Sequence, residues 1–178
     1  MDGEDYRIYC QNGDEEALAR LIGAYKDGLI LFVKMYTDNI HTAEDVVQDV
    51  FIKLAVQKPR YTGEASFKTW LYRIAANRAI DLMRKTKREL PLEDEAFLIS
   101  EEESLEQMIL RSERQRKLRE MMKQLPPDYQ KALWLVYFQE LPVKAAAKVL
   151  GRTGHAMEML LSRARKRLKQ EWMNWENR

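Results

Sequence analysis

Apolar residues recur at three- and four-residue spacing over most of the chain, the period of a helix with one buried face. After Asp14-Glu15-Glu16, whose carboxylates suit the positive end of a helix dipole, Ala17, Leu18, Leu21, Ile22, Tyr25, Leu29, Phe32, Val33 and Tyr36 form one stripe. They predict a helix to about Tyr36. Thr42-Ala43-Glu44-Asp45 has the form of a capping box and predicts a second helix with Ala43, Val46, Val47, Val50, Phe51 and Leu54 inward. Pro59 and Gly63 mark a loop from Gln57 to Ser66. A third helix follows, with Phe67, Trp70, Leu71, Ile74, Ala75 and Leu82 inward and a basic run from Arg84 to Arg88 at its end.

Periodicity lapses between Glu89 and about Gln107, a stretch that holds Pro91 and Glu101-Glu102-Glu103 and reads as a linker. Helical character returns from Leu105 to Leu125 and is closed by Pro126-Pro127. A helix from Asp128 to Phe138, a short one from Pro142 to Leu150 and a long one from about His155 to Trp172 are then expected. Pro142 suits a first helical turn, Gly151 the position just past a helix end, and Thr153 a cap. Two helices joined by a short glycine-containing turn, the second one basic, form a helix-turn-helix pattern. The expected fold is all-α: two small helical domains, 1–88 and 112–178, joined by an acidic linker, 89–111, with the helix-turn-helix in the second.

Composition narrows the function. A chain of 178 residues that is 46% hydrophobic can bury a core, and seven glycines and five prolines agree with long helices. The single cysteine, Cys10, allows no internal disulfide, and with only His41 and His155 besides it a Cys/His zinc site lacks ligands. No metal and no cofactor is expected. Apolar runs such as Leu133 to Phe138 are far short of the ~20 residues of a membrane span. The start, Met1 to Asp5, shows neither a basic region nor an apolar stretch. The expectation is a cytoplasmic protein with no membrane insertion. Charge is uneven: residues 1–88 carry 14 basic and 13 acidic side chains, residues 89–107 eight acids and no base, and residues 108–178 16 basic and seven acidic. The basic end points to a polyanionic partner.

Ala43 to Leu54 (AEDVVQDVFIKL), Phe67 to Arg84 (FKTWLYRIAANRAIDLMR), Leu125-Pro126-Pro127 and Leu161 to Leu168 (LSRARKRL) resemble bacterial RNA polymerase sigma factors. The short two-domain layout is similar to the extracytoplasmic-function (ECF) group. The resemblance covers about residues 14–88 and 112–172. It implies a non-enzymatic subunit that binds core RNA polymerase, recognises promoter DNA and helps melt it, with an anti-sigma factor as a further partner and no small-molecule substrate. It places core-polymerase binding on the face of the second helix opposite its apolar stripe: Asp45, Gln48, Asp49, Ile52 and Lys53. Ile52 is informative there, since a solvated face has no need of it.

In the loop and third helix, Lys58, Arg60, Tyr61, Ser66, Lys68, Trp70, Tyr72, Arg73, Asn77 and Arg78 interleave cations with aromatic and polar groups. Holding a melted strand requires cations for phosphates and flat or polar groups for unstacked bases. The resemblance assigns minus-10 DNA binding to Lys58, Arg60, Tyr61, Ser66, Lys68, Arg73, Asn77 and Arg78, with Tyr61 stacking on or bordering a flipped base. Trp70 belongs with Phe67 and Ile74 on the core stripe. Minus-35 binding falls to Arg152, Thr153, His155, Glu158, Arg163, Arg165 and Lys166.

Here the sequence departs from the family. Glu158, Met159 and Leu160 stand where small, hydroxylated or basic residues are usual, and Arg152 where an apolar residue is. Either His155 and Glu158 read an unusual element, or Met157, Met159 and Leu160 form an apolar patch for a protein partner, or two of those three are core. The acidic linker is expected to screen the basic domain or to thread a basic channel of the polymerase. Two other functions compete with the sigma-factor reading. A stand-alone helix-turn-helix regulator would lack the polymerase face. An enzyme is disfavoured, because no glycine-rich phosphate loop and no Ser/His/Asp set is visible.

Overall fold

A computed structural model describes residues 2–37, 39–89 and 113–177. The readings made for Pro91, Glu101 to Glu103 and the helical return at Leu105 lie outside the described residues. All regular structure among the described residues is helical: α1 (Asp2–Asn12), α2 (Glu15–Lys34), α3 (Ile40–Val56), α4 (Phe67–Glu89), α5 (Glu113–Lys123), α6 (Pro127–Leu133), α7 (Val143–Val149) and α8 (Gly154–Glu176).

Asp14 starts α2, its Oδ1 accepting from the N–H groups of Glu16 at 3.0 Å and Ala17 at 3.2 Å. The second helix departs from its expected start. Asn39, not Thr42, is the cap: its backbone is extended and its side chain accepts from His41 N–H at 2.8 Å. Asparagine is the stronger cap, and taking it adds three residues to the helix, so Thr42 falls inside the first turn. Ala43, Val46, Val47, Val50, Phe51 and Leu54 are all buried, as their spacing predicts. Ser66 caps α4, its hydroxyl accepting from Thr69 N–H at 3.2 Å.

Periodicity gives no sign of α1. It is short and mostly polar, yet Tyr6 is only 2% exposed, and Tyr6 and Tyr9 donate to the carbonyls of Pro59 (2.7 Å) and Ala55 (3.0 Å). Asp5 pairs with Arg20 of α2. The helix is thus held by tertiary contacts and not by its own propensity.

In the C-terminal domain, α6 starts at Pro127 and runs on into a wider turn, Trp134–Phe138, where Gln139 N–H donates to Trp134 C=O at 3.0 Å. Gln130 closes the α5–α6 corner by donating to the carbonyls of Lys123 and Leu125. The turn between α7 and α8 follows the expected chemistry, while Pro142 stands at the cap of α7, one residue ahead of the first turn. Gly151 has a φ of +62°, a region costly for other residues, and Thr153 Oγ1 accepts from Ala156 N–H at 3.1 Å.

The two domains share a seam where α4 packs on α7. Tyr72 lies there, fully buried, its ring 5.2 Å from that of Phe32. The Tyr72 hydroxyl and the Trp134 indole nitrogen are both buried beside each other without a well-formed hydrogen bond. At one end of the seam the Lys131 ammonium sits 3.8 Å over the Tyr36 ring and pairs with Asp128, which also takes Arg152 at 2.6 Å. Burial there pushes the Lys131 ammonium below the ordinary lysine value, against the pull of Asp128.

Candidate functional site

Three surfaces collect the residues singled out above. On α3, Asp45, Gln48, Asp49, Ile52 and Lys53 are all exposed, and Ile52 keeps 52% of its surface open to water. Beside it runs a groove of about 600 Å³ between α2 and α3, lined in part by Leu18, Ile22, Val47, Phe51 and Ile52. Leu18 and Ile22 were expected inward. They are only half-buried and form part of one wall of the groove. Asp49 accepts from Nε and Nη2 of Arg78, at 3.1 and 2.6 Å, so the α3 face is tied directly to α4.

The second surface comprises the loop and α4. Arg60, Arg73 and Asn77 are exposed, and no hydrogen bond or ion pair engages their side chains among the described residues. Lys58 adopts a φ of +46° and holds its ammonium 4.7 Å over the Tyr9 ring. Tyr61 is half-buried: its hydroxyl donates to Ala65 C=O at 2.7 Å and its ring packs against Phe67 and Trp70. Lys68 is half-buried and donates to Gln139 C=O at 3.2 Å across the domain seam. Tyr72 does not belong to this surface. The sequence places it between exposed-looking neighbours, but the seam with Trp134 buries it completely.

The third surface is α8. Met157, Leu161 and Ala164 face inward, leaving His155, Glu158, Arg163, Arg165 and Lys166 exposed. Arg165 donates to the Tyr137 hydroxyl at 3.1 Å, and Arg152 is held by Asp128. The apolar-patch reading of Met157, Met159 and Leu160 fails. Met157 is completely buried and Leu160 is half-buried against the core, so only Met159, at 43% exposure, is an exposed side chain. Packing against the neighbouring helices, which periodicity alone cannot assign, decides the matter.

Residues 21–89 match the sigma-70 region 2 family model and residues 115–168 the sigma-70 region 4 model. The ECF RNA polymerase sigma factor SigM of Bacillus subtilis is 30% identical over 145 residues, covering 82% of this chain and 88% of SigM. This chain belongs to the ECF sigma factors. ECF sigma factor SigW of the same organism is 26% identical over 171 residues, covering 90% of this chain and 91% of SigW. The RNA polymerase sigma-H factor of Pseudomonas aeruginosa is 31% identical over 150 residues, covering 79% of this chain and 78% of that factor.

Solved structures share the fold. CnrH in complex with the cytosolic domain of CnrY superposes with a TM-score of 0.63 at 20% identity, covering 96% of this chain and 97% of CnrH. The sigma factor RpoE in complex with the anti-sigma factor NepR from Bartonella quintana gives 0.62 at 23%, covering 85% of this chain and 94% of RpoE. As an ECF sigma factor, this protein acts in transcription initiation, directing RNA polymerase to promoters. No described helix is long and apolar enough to cross a membrane.

The residues that sequence reasoning missed in this sigma factor lie in α1. Tyr6, Tyr9 and Cys10, at helical spacing behind the acids Asp2, Glu4 and Asp5, were the available signal. Tyr6 and Tyr9 tie α1 to the loop at Pro59 and to the end of α3 at Ala55.

Proposed function

We propose that this ECF sigma factor divides its work among the three surfaces. The α3 face, Asp45, Gln48, Asp49, Ile52 and Lys53, docks on core RNA polymerase. The loop and α4, through Lys58, Arg60, Tyr61, Ser66, Lys68, Arg73, Asn77 and Arg78, hold the unpaired minus-10 strand. The α8 surface, with Arg152, Thr153, His155, Glu158, Arg163, Arg165 and Lys166, engages the minus-35 region. In this reading residues 1–88 form the polymerase and minus-10 domain and 112–178 the minus-35 domain. The protein works in the cytoplasm and carries out no chemistry of its own.

The observation that carries the proposal is the half-exposed Ile52 beside an open groove, on a face that apart from Lys53 is acidic and amide. Such a face suits a basic partner surface that offers an apolar side chain. An anti-sigma factor is a fitting further partner, since the similar CnrH and RpoE structures are of complexes with CnrY and with the anti-sigma factor NepR. Purified chain and core polymerase, tested by run-off transcription over a promoter library, should give defined start sites absent with core alone. A start-site pattern identical with and without the chain overturns the proposal.

A further inference from the structure

Helix α1 lies ahead of the family match, which begins at residue 21, yet it is fitted closely to the loop assigned to the unpaired strand. A Cβ at Gly3 would stand 2.7 Å from Cε1 of Tyr61, so the α1 backbone rests on that ring. From the next turn, the Arg7 guanidinium lies over the Tyr61 ring, 5.6 Å from its centroid, and reaches to within 2.9 Å of where a Cβ on Gly63 would be. Gly63, at a φ of +82°, leaves room for it.

Between α1 and the loop is a cleft of about 270 Å³, with Tyr6, Cys10, Pro59 and Tyr61 as walls and Arg7, Gln11, Lys58 and Arg60 supplying the polar groups. None of these lining residues is a carboxylate. Arg7, Lys58 and Arg60 have no acidic partner among the described residues. Three cations around one cleft, with no carboxylate in its lining, make it a candidate anion site. The ligand is a phosphodiester rather than a base, because the charged groups lining the cleft are all cations, and Arg7, Phe67 and Trp70 already crowd the Tyr61 ring.

We propose that α1, through Arg7 acting with Lys58 and Arg60, supplies a phosphate-binding cleft that grips the backbone of the unpaired DNA strand beside the loop 61–66. The inference rests on the reading of that loop as part of the strand-holding surface. Arg7 is then a binding residue that no sigma-region match includes, and α1 extends the strand-holding surface beyond it.

The test uses the full chain and a labelled single-stranded (dT)12, since phosphate contacts carry no sequence information. Binding is followed by anisotropy between about 50 and about 300 mM salt. Loss of one phosphate contact makes the slope of log K against log salt about 0.7 shallower for a single strand. Arg7→Gln should therefore weaken binding about eightfold at 50 mM and about twofold at 300 mM. Arg7→Lys, which keeps the charge, should retain the original slope, and the slope for a 12-base-pair duplex should not respond to Arg7→Gln.

Equal weakening by Arg7→Gln and Arg7→Lys at unchanged slope would show that Arg7 only packs on Tyr61 and would overturn the inference. An equal slope change on duplex would overturn the assignment to the unpaired strand. Weakening by Arg73→Gln but not by Arg7→Gln leaves the strand-holding role of α4 standing and removes only the cleft. No salt-dependent binding of (dT)12 by the unaltered chain would remove both.

Discussion

Replacing Ile52 with alanine separates docking from folding, because the side chain is half free in the isolated protein. It keeps 52% of its surface exposed. Fully burying an isoleucine contributes about 1.5–3 kcal/mol, so burying the remaining half against a partner is worth about 0.8–1.5 kcal/mol. Ile52→Ala should raise the Kd for core polymerase roughly fourfold to twelvefold. Folding should lose about 0.5–1 kcal/mol: the half already buried is worth about as much as the half still exposed, and alanine, the better helix former, offsets part of it. A titration of labelled core polymerase reads the first effect. A thermal melt reads the second, expected within about 4 °C. An unchanged Kd would refute the docking role of the α3 face. A fall in Tm of more than about 5 °C would show that Ile52 supports the core and that the argument from exposure is wrong.

Other consequences can be checked separately. Glu158→Gln should change minus-35 preference at one base position in promoter-resolved transcription, because a carboxylate accepts from a cytosine amino group and repels phosphate; unchanged promoter choice would refute base reading. Burial raises the hydroxyl pKa values of Tyr6, Tyr36 and Tyr72 above the ordinary value near 10, so the unfolded chain deprotonates first and stability falls as pH rises past 10. Each fully buried tyrosine should cost about 1.4 kcal/mol per pH unit there, and the slope of denaturant midpoints between about pH 10 and 11 should fall by one tyrosine's share in Tyr72→Phe. Lys131 acts in the opposite sense below its ordinary value, and its effect saturates above it. Gly28→Ala would place a Cβ 2.7 Å from the Tyr72 hydroxyl and 3.2 Å from Gln139 Nε2, so the domains should separate and the radius of gyration measured by X-ray scattering should rise. An unchanged scattering curve would show that the seam absorbs the methyl group.

Legibility of the fold tracked the strength of the local signal. The α3 stripe was read residue by residue, because six apolar positions at strict helical spacing leave no other face to bury. Gly151 and Thr153 were equally plain, since a positive φ and a hydroxyl cap each demand particular residue types. Long-range packing was not legible. Tyr72 has the same neighbours in sequence whether it meets DNA or Trp134, and only the docking of α7 on α4 decides which. Helix α1 escaped notice because two tyrosine hydroxyls bonded to distant carbonyls, those of Ala55 and Pro59, leave no period in the sequence. Of the candidate binding residues, the exposed cations could be anticipated from charge. The engagement of Lys68 by Gln139, of Arg78 by Asp49 and of Arg152 by Asp128 could not.

The aromatic seam has a thermodynamic corollary. Whatever wedges the halves apart rewets Tyr72 and Trp134 and must outbind that loss, so its apparent affinity is scaled down by the fraction of molecules already ajar. Because Lys68 donates to Gln139 across the seam, unfastening the molecule also releases that ammonium, and a mutation that loosens the seam should expose it.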